Sequence, residues 1–443
     1  MKKISLAVFP ALACAALYLW YFDNSTAPFG SFFADKLGLA MAFGRLAGIV
    51  GALGVMLQLL LVSRAKWLEP PFGLDRLTRF HHLLGLIIPL ALLVHPPLVV
   101  WHHMMQTGNT FLAQYLAVLK WDDILPAAAG ELLILLAVFL SLPFTRRRLS
   151  YEAWHTVHLG AYFGLALSIG HQLELGGDMS AELPYFAWTW YALLAFTAAN
   201  VLWYRLLRPL WLFRRHAFAV DRTVMESPDV MSVYIKGNGL ENFQAEAGQF
   251  ALLRFWAPGF KLQAHPFSFS KVPNGGELRF SIKKLGDFTA KLHAELKPGV
   301  PVMIDGPHGV FTPAKMRADK ALFLAGGIGI TPLRAMAEKI CAAKGDAVLL
   351  FSNRSARDII FREELAGLEK TGALRAVHVL TEDKEWPGEK GRLDAACIKR
   401  LVHDVAERDA FLCGPPPMMS ALKTALLGLG VPAKRIHYEQ FSL

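Results

Sequence analysis

The alternation of apolar and polar positions divides the chain near residue 212. Before that point, apolar runs recur at about 4–22, 38–63, 81–103, 124–144, 152–173 and 184–207. Each is near the ~20 residues with which a helix crosses ~30 Å of hydrocarbon. After it the pattern is that of a soluble protein. Residues 216–312 hold short β-rich runs such as Val230-Met231-Ser232-Val233-Tyr234-Ile235 and Leu278-Arg279-Phe280-Ser281-Ile282, punctuated by Gly, Pro and Asn-Gly, which predicts a small antiparallel barrel. From about 318 strands and helices alternate. Ala321-Leu322-Phe323-Leu324-Ala325 leads into a Gly-rich turn and a helix from Thr331. Strand-like runs follow at Val348–Phe351, Ala376–Leu380 and Ala410–Leu412, the βαβ signature of a parallel sheet. The expected architecture is a six-helix transmembrane bundle over 1–212, a β-barrel over 213–315 and a Rossmann-like α/β domain over 316–443. No internal repeat or low-complexity tract interrupts it.

Composition sharpens this picture. Of 443 residues, 54% are hydrophobic and 19% charged, which excludes a disordered chain and a purely cytosolic enzyme. The net charge of +10, from 46 Lys+Arg against 36 Asp+Glu, could mean nucleic acid or membrane. Its distribution decides. Lys2 and Lys3 precede the first span. Arg64, Lys66, Arg76 and Arg79 lie between the second and third, Arg146, Arg147 and Arg148 between the fourth and fifth, and Arg205, Arg208, Arg214 and Arg215 after the sixth. The alternate loops carry Asp23, Asp35, Asp122, Asp123, Glu174, Asp178 and Glu182. By the positive-inside rule the soluble half is cytoplasmic, and nucleic-acid binding is not needed to explain the excess. The first span has the form of a signal peptide but ends in Leu19-Trp20-Tyr21-Phe22, an interfacial belt, so a retained helix is expected. The four cysteines, Cys14, Cys341, Cys397 and Cys413, form no CxxC pair, so neither a thiolate metal site nor a disulfide framework is indicated.

Histidines inside apolar spans are costly and normally face a bundle interior. The third span holds His81, His82 and His95; the fifth holds His155, His158 and His171. Fourteen residues from His81 to His95 give a rise of ~21 Å and fall ~40° short of four turns, so both lie on nearly one face. Imidazoles at two depths on two helices could hold two haems in bis-histidine ligation. Gly85, Gly160, Gly164 and Gly170 would let a macrocycle approach the backbone. The fifth span fits less well: His158 to His171 is ~140° off a common face in an ideal helix, and His155 to His171 is no better, so a tilt or irregularity must correct it. Core histidines or a proton relay are the structural alternative.

The soluble half carries cofactor motifs. His265-Pro266-Phe267-Ser268-Phe269-Ser270 resembles the flavin-binding strand of ferredoxin-reductase-type domains. That resemblance implies that Phe267 flanks the isoalloxazine of FAD and Ser268 hydrogen-bonds near its reactive nitrogen. Ser281-Ile282-Lys283-Lys284-Leu285-Gly286-Asp287-Phe288-Thr289 resembles the segment that holds the FAD pyrophosphate, with charge from Lys283 and donors from Gly286 and Thr289 ahead of a helix. Asp305-Gly306-Pro307-His308-Gly309 closes the barrel in the same family. In Ala325-Gly326-Gly327-Ile328-Gly329-Ile330-Thr331-Pro332, between a strand and a helix, the glycines let backbone N–H groups approach a dinucleotide pyrophosphate. Cys413-Gly414-Pro415-Pro416-Pro417-Met418 follows a strand, and the resemblance puts it beside the nicotinamide. It also implies that Phe441 stacks on the flavin until the nicotinamide displaces it. Ser352, Arg354 and Arg357 after the second strand of this domain could clamp a 2′-phosphate, favouring NADPH over NADH.

Taken in order, these features make the chain resemble the bacterial NADPH oxidase homologues of the ferric-reductase-like transmembrane superfamily. The resemblance implies an inner haem on His81 and His158, an outer haem on His95 and His171, and a location in the bacterial inner membrane. Ser268, Cys413 and Phe441 would then be the residues at the hydride-transfer site. Electrons would pass from cytoplasmic NAD(P)H through FAD and two b-type haems to dioxygen outside, giving superoxide. Ferric or cupric reduction is the rival, supported locally by Trp101-His102-His103-Met104-Met105, whose imidazole and thioether groups suit copper. A quinone or an extracytoplasmic partner protein is a further acceptor, although the sequence requires no protein partner. From another class, a transporter governed by a flavin sensor would bind no haem. No EF-hand pattern is present, so calcium regulation is not expected.

Overall fold

Helices occupy the apolar runs: α1 (Lys2–Ser25), α2 (Lys36–Val62), α3 (Leu74–Thr107), α4 (Ile124–Ser141), α5 (Tyr151–Leu167) and α6 (Pro184–Leu202). The computed structural model describes residues 2–25, 36–174, 179, 184–261, 263–273 and 275–439. Asp35, Asp178, Glu182 and Phe441, singled out above, lie outside the described residues. Of the six expected crossings, α2, α3 and α4 are long and apolar enough to span a membrane; Leu6–Phe22 within α1 is a shorter apolar helix. Only 11% of the apolar windows of α3 and α4 is buried, against 39% for α2, so apolar surface is left facing outward, which hydrocarbon would cover. Phe9, Ala16 and Trp20 of α1 pack with Ile49, Leu53 and Met56 of α2 and Phe186, Trp190 and Leu193 of α6. Elsewhere α4 and α5 cross so closely that a Cβ on Gly164 would lie 2.6 Å from the Gly130 carbonyl oxygen. Small residues permit such a backbone approach.

The chain divides into two compact units, one of residues 1–72 and 76–205, the other of residues 73–75 and 206–443. In the second, α7 (Arg208–His216) leads into two three-stranded antiparallel sheets. One has β1 (Ala219–Ser227), β2 (Val230–Lys236) and β5 (Leu278–Lys283) in the order β1-β2-β5. The other has β3 (Phe250–Phe255), β4 (His265–Ser268) and β6 (Val302–His308) in the order β4-β3-β6. Bridges Ala219–Pro301 and Phe269–Phe280 join the sheets into a barrel. Alternate residues point inward, so Val233, Ile235, Phe255, Phe269, Phe280 and Ile304 share one core. Each such side chain contributes about 1.5–3 kcal/mol on burial.

A parallel six-stranded sheet follows, built from β7 (Lys320–Gly326), β8 (Asp346–Asn353), β9 (Leu374–Leu380), β10 (Glu389–Lys390), β11 (Asp409–Cys413) and β12 (Ile436–Tyr438). Its order is β10-β9-β8-β7-β11-β12. Strand residues alternate between two covered faces: Phe323, Leu349 and Phe411 pack with α9 (Ile330–Ala342) and α10 (Arg362–Glu369), while Leu324, Leu350 and Leu412 pack with α11 (Ala395–Leu401) and α12 (Pro416–Gly428). The strand order reverses between β7 and β11, the position at which open parallel sheets bind ligands at the strands' carboxyl ends.

Candidate functional site

In the first unit α2 and α3 run antiparallel, and three imidazoles of α3 meet three carbonyls of α2. His81 Nδ1 lies 3.4 Å from the Gln58 carbonyl, His95 Nδ1 2.8 Å from that of Gly44, and His102 Nδ1 2.9 Å from that of Leu37. The carbonyls are spaced by seven and fourteen residues, as are the histidines, and seven residues is close to two helical turns. A carbonyl only accepts, so each Nδ1 is the donor, and Nε2 is the ring nitrogen left to ligate. The approach depends on glycine. A Cβ at Gly48 would stand 2.8 Å from His95 Nδ1, and one at Gly51 or Gly54 would press on Leu92 or Ile88 at 2.6 Å.

Facing α3, the structure sets His158 opposite His81, ring centres 6.0 Å apart, and His171 opposite His95 at 5.9 Å. Two imidazoles each about 2 Å from one metal ion place their ring centres about 6 Å apart, so each pair could hold one ion between them. The His158 ring stacks on Trp154 at 5.1 Å. Ser141 Oγ donates to the Ala137 carbonyl, and accepts from Trp154 Nε1 and His158 Nδ1. The His155 ring lies beside Trp154 instead, and that of His82 beside His81. His171 reaches its place because α5 stops at Leu167. Ser168, at φ −85° and ψ −5°, joins it to a second helical segment, Ile169–Glu174, which carries the imidazole. His171 Nδ1 is buried with no hydrogen-bond partner among the described residues.

A cavity of about 380 Å³ adjoins the second pair, lined by His95, His171, Arg45, His103, Glu131 and Trp121 among others. Glu131 escaped the sequence reading. Its signal is a lone carboxylate within an 18-residue apolar helix, a feature that marks function by default in membranes. The glycines differ from expectation. Gly164 is taken up by the crossing with Gly130, Gly170 packs on Asp123 and Gly85 on Gln58, and only Gly160 of the four has open space. In the Trp101–Met105 run, His102 is buried with Nδ1 on the Leu37 carbonyl, its ring 5.1 Å from that of His103, while Met104 is half-buried and Met105 exposed.

In the second unit the flavin-type strand is β4. The His265 ring stacks on Phe288 at 3.8 Å, Pro266 and Phe267 are half-buried, and Ser268 is buried opposite Phe250. Three expected contacts are otherwise engaged. Ser270 is fully buried, bonded to Ser281 Oγ, Arg279 Nε and the Arg279 carbonyl. Lys283 pairs with Asp229 at 3.1 Å. Thr289 Oγ1 accepts the N–H groups of Leu285 and Gly286, capping α8 (Asp287–Glu295).

At the switch point the turn after β7 packs on the segment after β11. A Cβ on Gly329 would strike the Cys413 carbonyl, and one on Gly326 would sit 2.9 Å from Pro415. Gly326 and Gly329 are required by this loop packing, and Pro332 is buried in the first turn of α9. Thr331 Oγ1 bonds the Ile328 carbonyl at 3.0 Å. Gly327, with φ +52° and open space around it, is the backbone left accessible. Gly414 lies against Gly326, while burial, aided by the nearby Glu439 carboxylate, pushes the Cys413 thiol up, so it is a neutral thiol at neutral pH. Glu439, buried just past β12, is a second residue the sequence reading missed. Arg354 and Arg357 are exposed after β8, Arg354 with Glu382 at 3.8 Å.

Comparison with known proteins assigns these parts. Residues 47–169 match the ferric reductase like transmembrane component, 215–312 an FAD-binding domain and 323–424 the oxidoreductase NAD-binding domain. The chain therefore has the ferric-reductase-type architecture, a ferric-reductase-like transmembrane component joined to FAD- and NAD-binding domains. The soluble half of this ferric-reductase-like protein is an NAD(P)H-dependent oxidoreductase unit. It is 31% identical over 230 residues to ferredoxin–NADP reductase B of Sorangium cellulosum, covering 48% of this chain and 93% of that one. It is 32% identical over 240 residues to the glycine betaine monooxygenase reductase subunit of Pseudomonas aeruginosa, covering 52% and 65%. With flavohemoprotein A of Dictyostelium discoideum it shares 28% over 242 residues, covering 51% and 59%. The ferric-reductase-like chain thus spans just under two thirds of the length of the Pseudomonas relative.

Proposed function

We propose that the chain is a six-span NAD(P)H oxidase of the bacterial inner membrane, soluble unit in the cytoplasm, that carries electrons outward to dioxygen through FAD and two b-type haems. The balance is NADPH plus two dioxygen giving NADP⁺, a proton and two superoxide ions. The observation that carries the reading is the pair of opposed imidazoles at each of two levels, 6.0 and 5.9 Å apart. The residues present fit haem: His81, His95 and His158 have Nδ1 committed as donor and Nε2 left to ligate, and the fourth ring, His171, is buried opposite His95 with Nδ1 unpartnered among the described residues. Bound FAD exchanges a hydride for single electrons, and bound haem carries electrons singly.

The chain's own residues do the rest. Carbonyls of Gly44 and Gln58 and the Ser141 hydroxyl hold ring orientation, as outer-shell partners do for metal-ligating histidines. Ser268 would hydrogen-bond beside the flavin's reactive nitrogen. Cys413 and Gly414 form the wall against which the nicotinamide would lie, Gly327 offers backbone to the dinucleotide, and Arg354 with Arg357 would take a 2′-phosphate. Phe441 would cover the flavin.

The test is a reduced-minus-oxidised spectrum of purified protein, with haem counted per chain, followed by NADPH-driven dye reduction with and without superoxide dismutase. Two b-type haems and a dismutase-sensitive signal are expected. A protein with no Soret band after supply of haemin would end this reading, and a dismutase-insensitive signal would redirect it to another acceptor.

A further inference from the structure

Passing a hydride from NAD(P)H to flavin requires the barrel and the α/β layer to keep one relative angle, and an ionic cluster of two buried arginines with Glu364 and Glu338, 35% and 29% exposed, joins them. Arg279 on β5, its side chain 3% exposed, meets Glu364 on α10 with both ends of its guanidinium, at 2.6 and 3.0 Å. Arg334 on α9, 7% exposed, brings Nη2 to 2.6 Å from the same carboxylate and bonds Glu338 one turn along. Both arginines donate to the Ser270 carbonyl, Arg279 at 2.9 Å and Arg334 at 3.4 Å, and Glu338 accepts the N–H of Val272 at 3.2 Å. Two cations and two anions thus close on the end of the flavin-type strand. Ser270 stands two residues after Ser268, and Arg334 stands one turn after Thr331 at the Gly-rich turn.

Phe361, the residue before α10, is buried with φ +58° and lies under the Arg279 guanidinium, 4.6 Å from it to the ring centre. A bulky residue holds that backbone conformation only where its surroundings impose it. Burial alone would raise the Glu364 carboxyl; hydrogen bonding to Arg279 and the charges of both arginines outweigh it and hold the group below the ordinary range. Partly buried ion clusters of this kind are poor sources of net stability and are better suited to fixing one geometry.

We propose that Glu364 is a positioning residue for hydride transfer: clasped by Arg279 and Arg334, it sets the angle at which the nucleotide-binding layer presents nicotinamide to the flavin strand. This rests only on the NAD(P)H-to-flavin part of the reading above, and is independent of haem and dioxygen.

The test is anaerobic stopped-flow bleaching of the flavin in the full-length protein by NADPH and by NADPH deuterated at the transferred position. Glu364→Gln keeps the shape and removes the charge. Misplacement by about 1 Å can cost about a hundredfold, so bleaching at saturating NADPH should slow about tenfold or more. FAD should stay bound, NADPH affinity should change less than about threefold, and the isotope effect should rise. Glu364→Asp, which keeps the charge, should recover part of the rate. Wild-type bleaching and isotope effect in Glu364→Gln would overturn the proposal. Should that variant lose FAD, Arg334→Lys decides: slow bleaching with FAD retained supports the role, and wild-type bleaching removes it. Absence of haem or superoxide would sink the function proposed above while leaving this measurement intact.

Discussion

The two units make polar side chains precise by opposite means. In the helical unit His81, His95 and His102 are each anchored by a backbone carbonyl of one neighbouring helix, brought close by a run of glycines. In the soluble unit the corresponding task falls to charge on charge: Glu364 between two arginines, and Arg408 between Asp346 and Asp404. The difference follows from solvent. Where hydrocarbon surrounds a helix, a charge is expensive and a carbonyl already bonded within its helix can accept once more at little cost. Where water is near, ion pairs are affordable and can be clustered. Positional accuracy in the first unit therefore depends on backbone proximity, and in the second on complementary side chains.

The largest effect is expected where a ring itself is removed. His95→Leu or His171→Leu should lower bound haem from two to one per chain, measured as pyridine haemochrome, with flavin reduction by NADPH unchanged. Retention of two haems would break the assignment of that pair. Next, Phe280→Ala empties the centre of the barrel and should cost about 3–5 kcal/mol of stability of the soluble unit, read from denaturant unfolding followed by flavin release. A third test addresses glycine proximity directly. Gly48→Ala puts a methyl against His95 and should cut haem occupancy or shift its spectrum, whereas Gly160→Ala, in open space, should do neither. Equal effects would contradict the idea that glycines position the imidazoles. Arg354→Ala should raise KM for NADPH about tenfold, a loss typical of one charge-assisted hydrogen bond, with NADH kinetics unaltered. The smallest effect concerns acid. Arg408 and Lys320 draw the Asp404 carboxyl from its ordinary 3.8 down to about 2. A depressed folded value stabilises above the ordinary one, so this contribution should be complete above about pH 4 and disappear as pH falls through about 2. Asp404→Asn should flatten that portion of the unfolding profile.

What could be read from the chain beforehand follows the range of the interactions involved. Local patterns carried far: the runs at Val230–Ile235, Leu278–Ile282, Ala321–Ala325 and Ala410–Leu412 became β2, β5, β7 and β11, because alternation and turn signals act over a few residues. His81 and His95 were placed on one face by counting, since α3 runs unbroken past Pro89 between them. His171 defeated counting on one ideal helix: the run that holds it is two helical segments joined at Ser168, and Gly170 beside it packs on Asp123 from another segment. Gly44, Gly48, Gly51 and Gly54 drew no notice because their meaning resides in the partner helix. Lys283 and Thr289 read locally as phosphate ligands, and no local signal showed that Asp229 and the N-terminus of α8 would also engage them. The Arg279–Glu364 pair spans 85 positions, beyond any local signal.

The turn at Ser168 has a practical consequence for editing the chain. Its N–H shares the carbonyls of Gly164 and Leu165, and its hydroxyl accepts from Gln172, so the joint is fastened at both sides. A residue inserted between His81 and His95 would swing one ring by about 100° out of the seam. The same insertion at Ser168 would fall between two helical segments rather than inside one. One helix acts as a single ruler and its partner as two shorter ones joined end to end, and that asymmetry tells an engineer where to try changing the length of this scaffold.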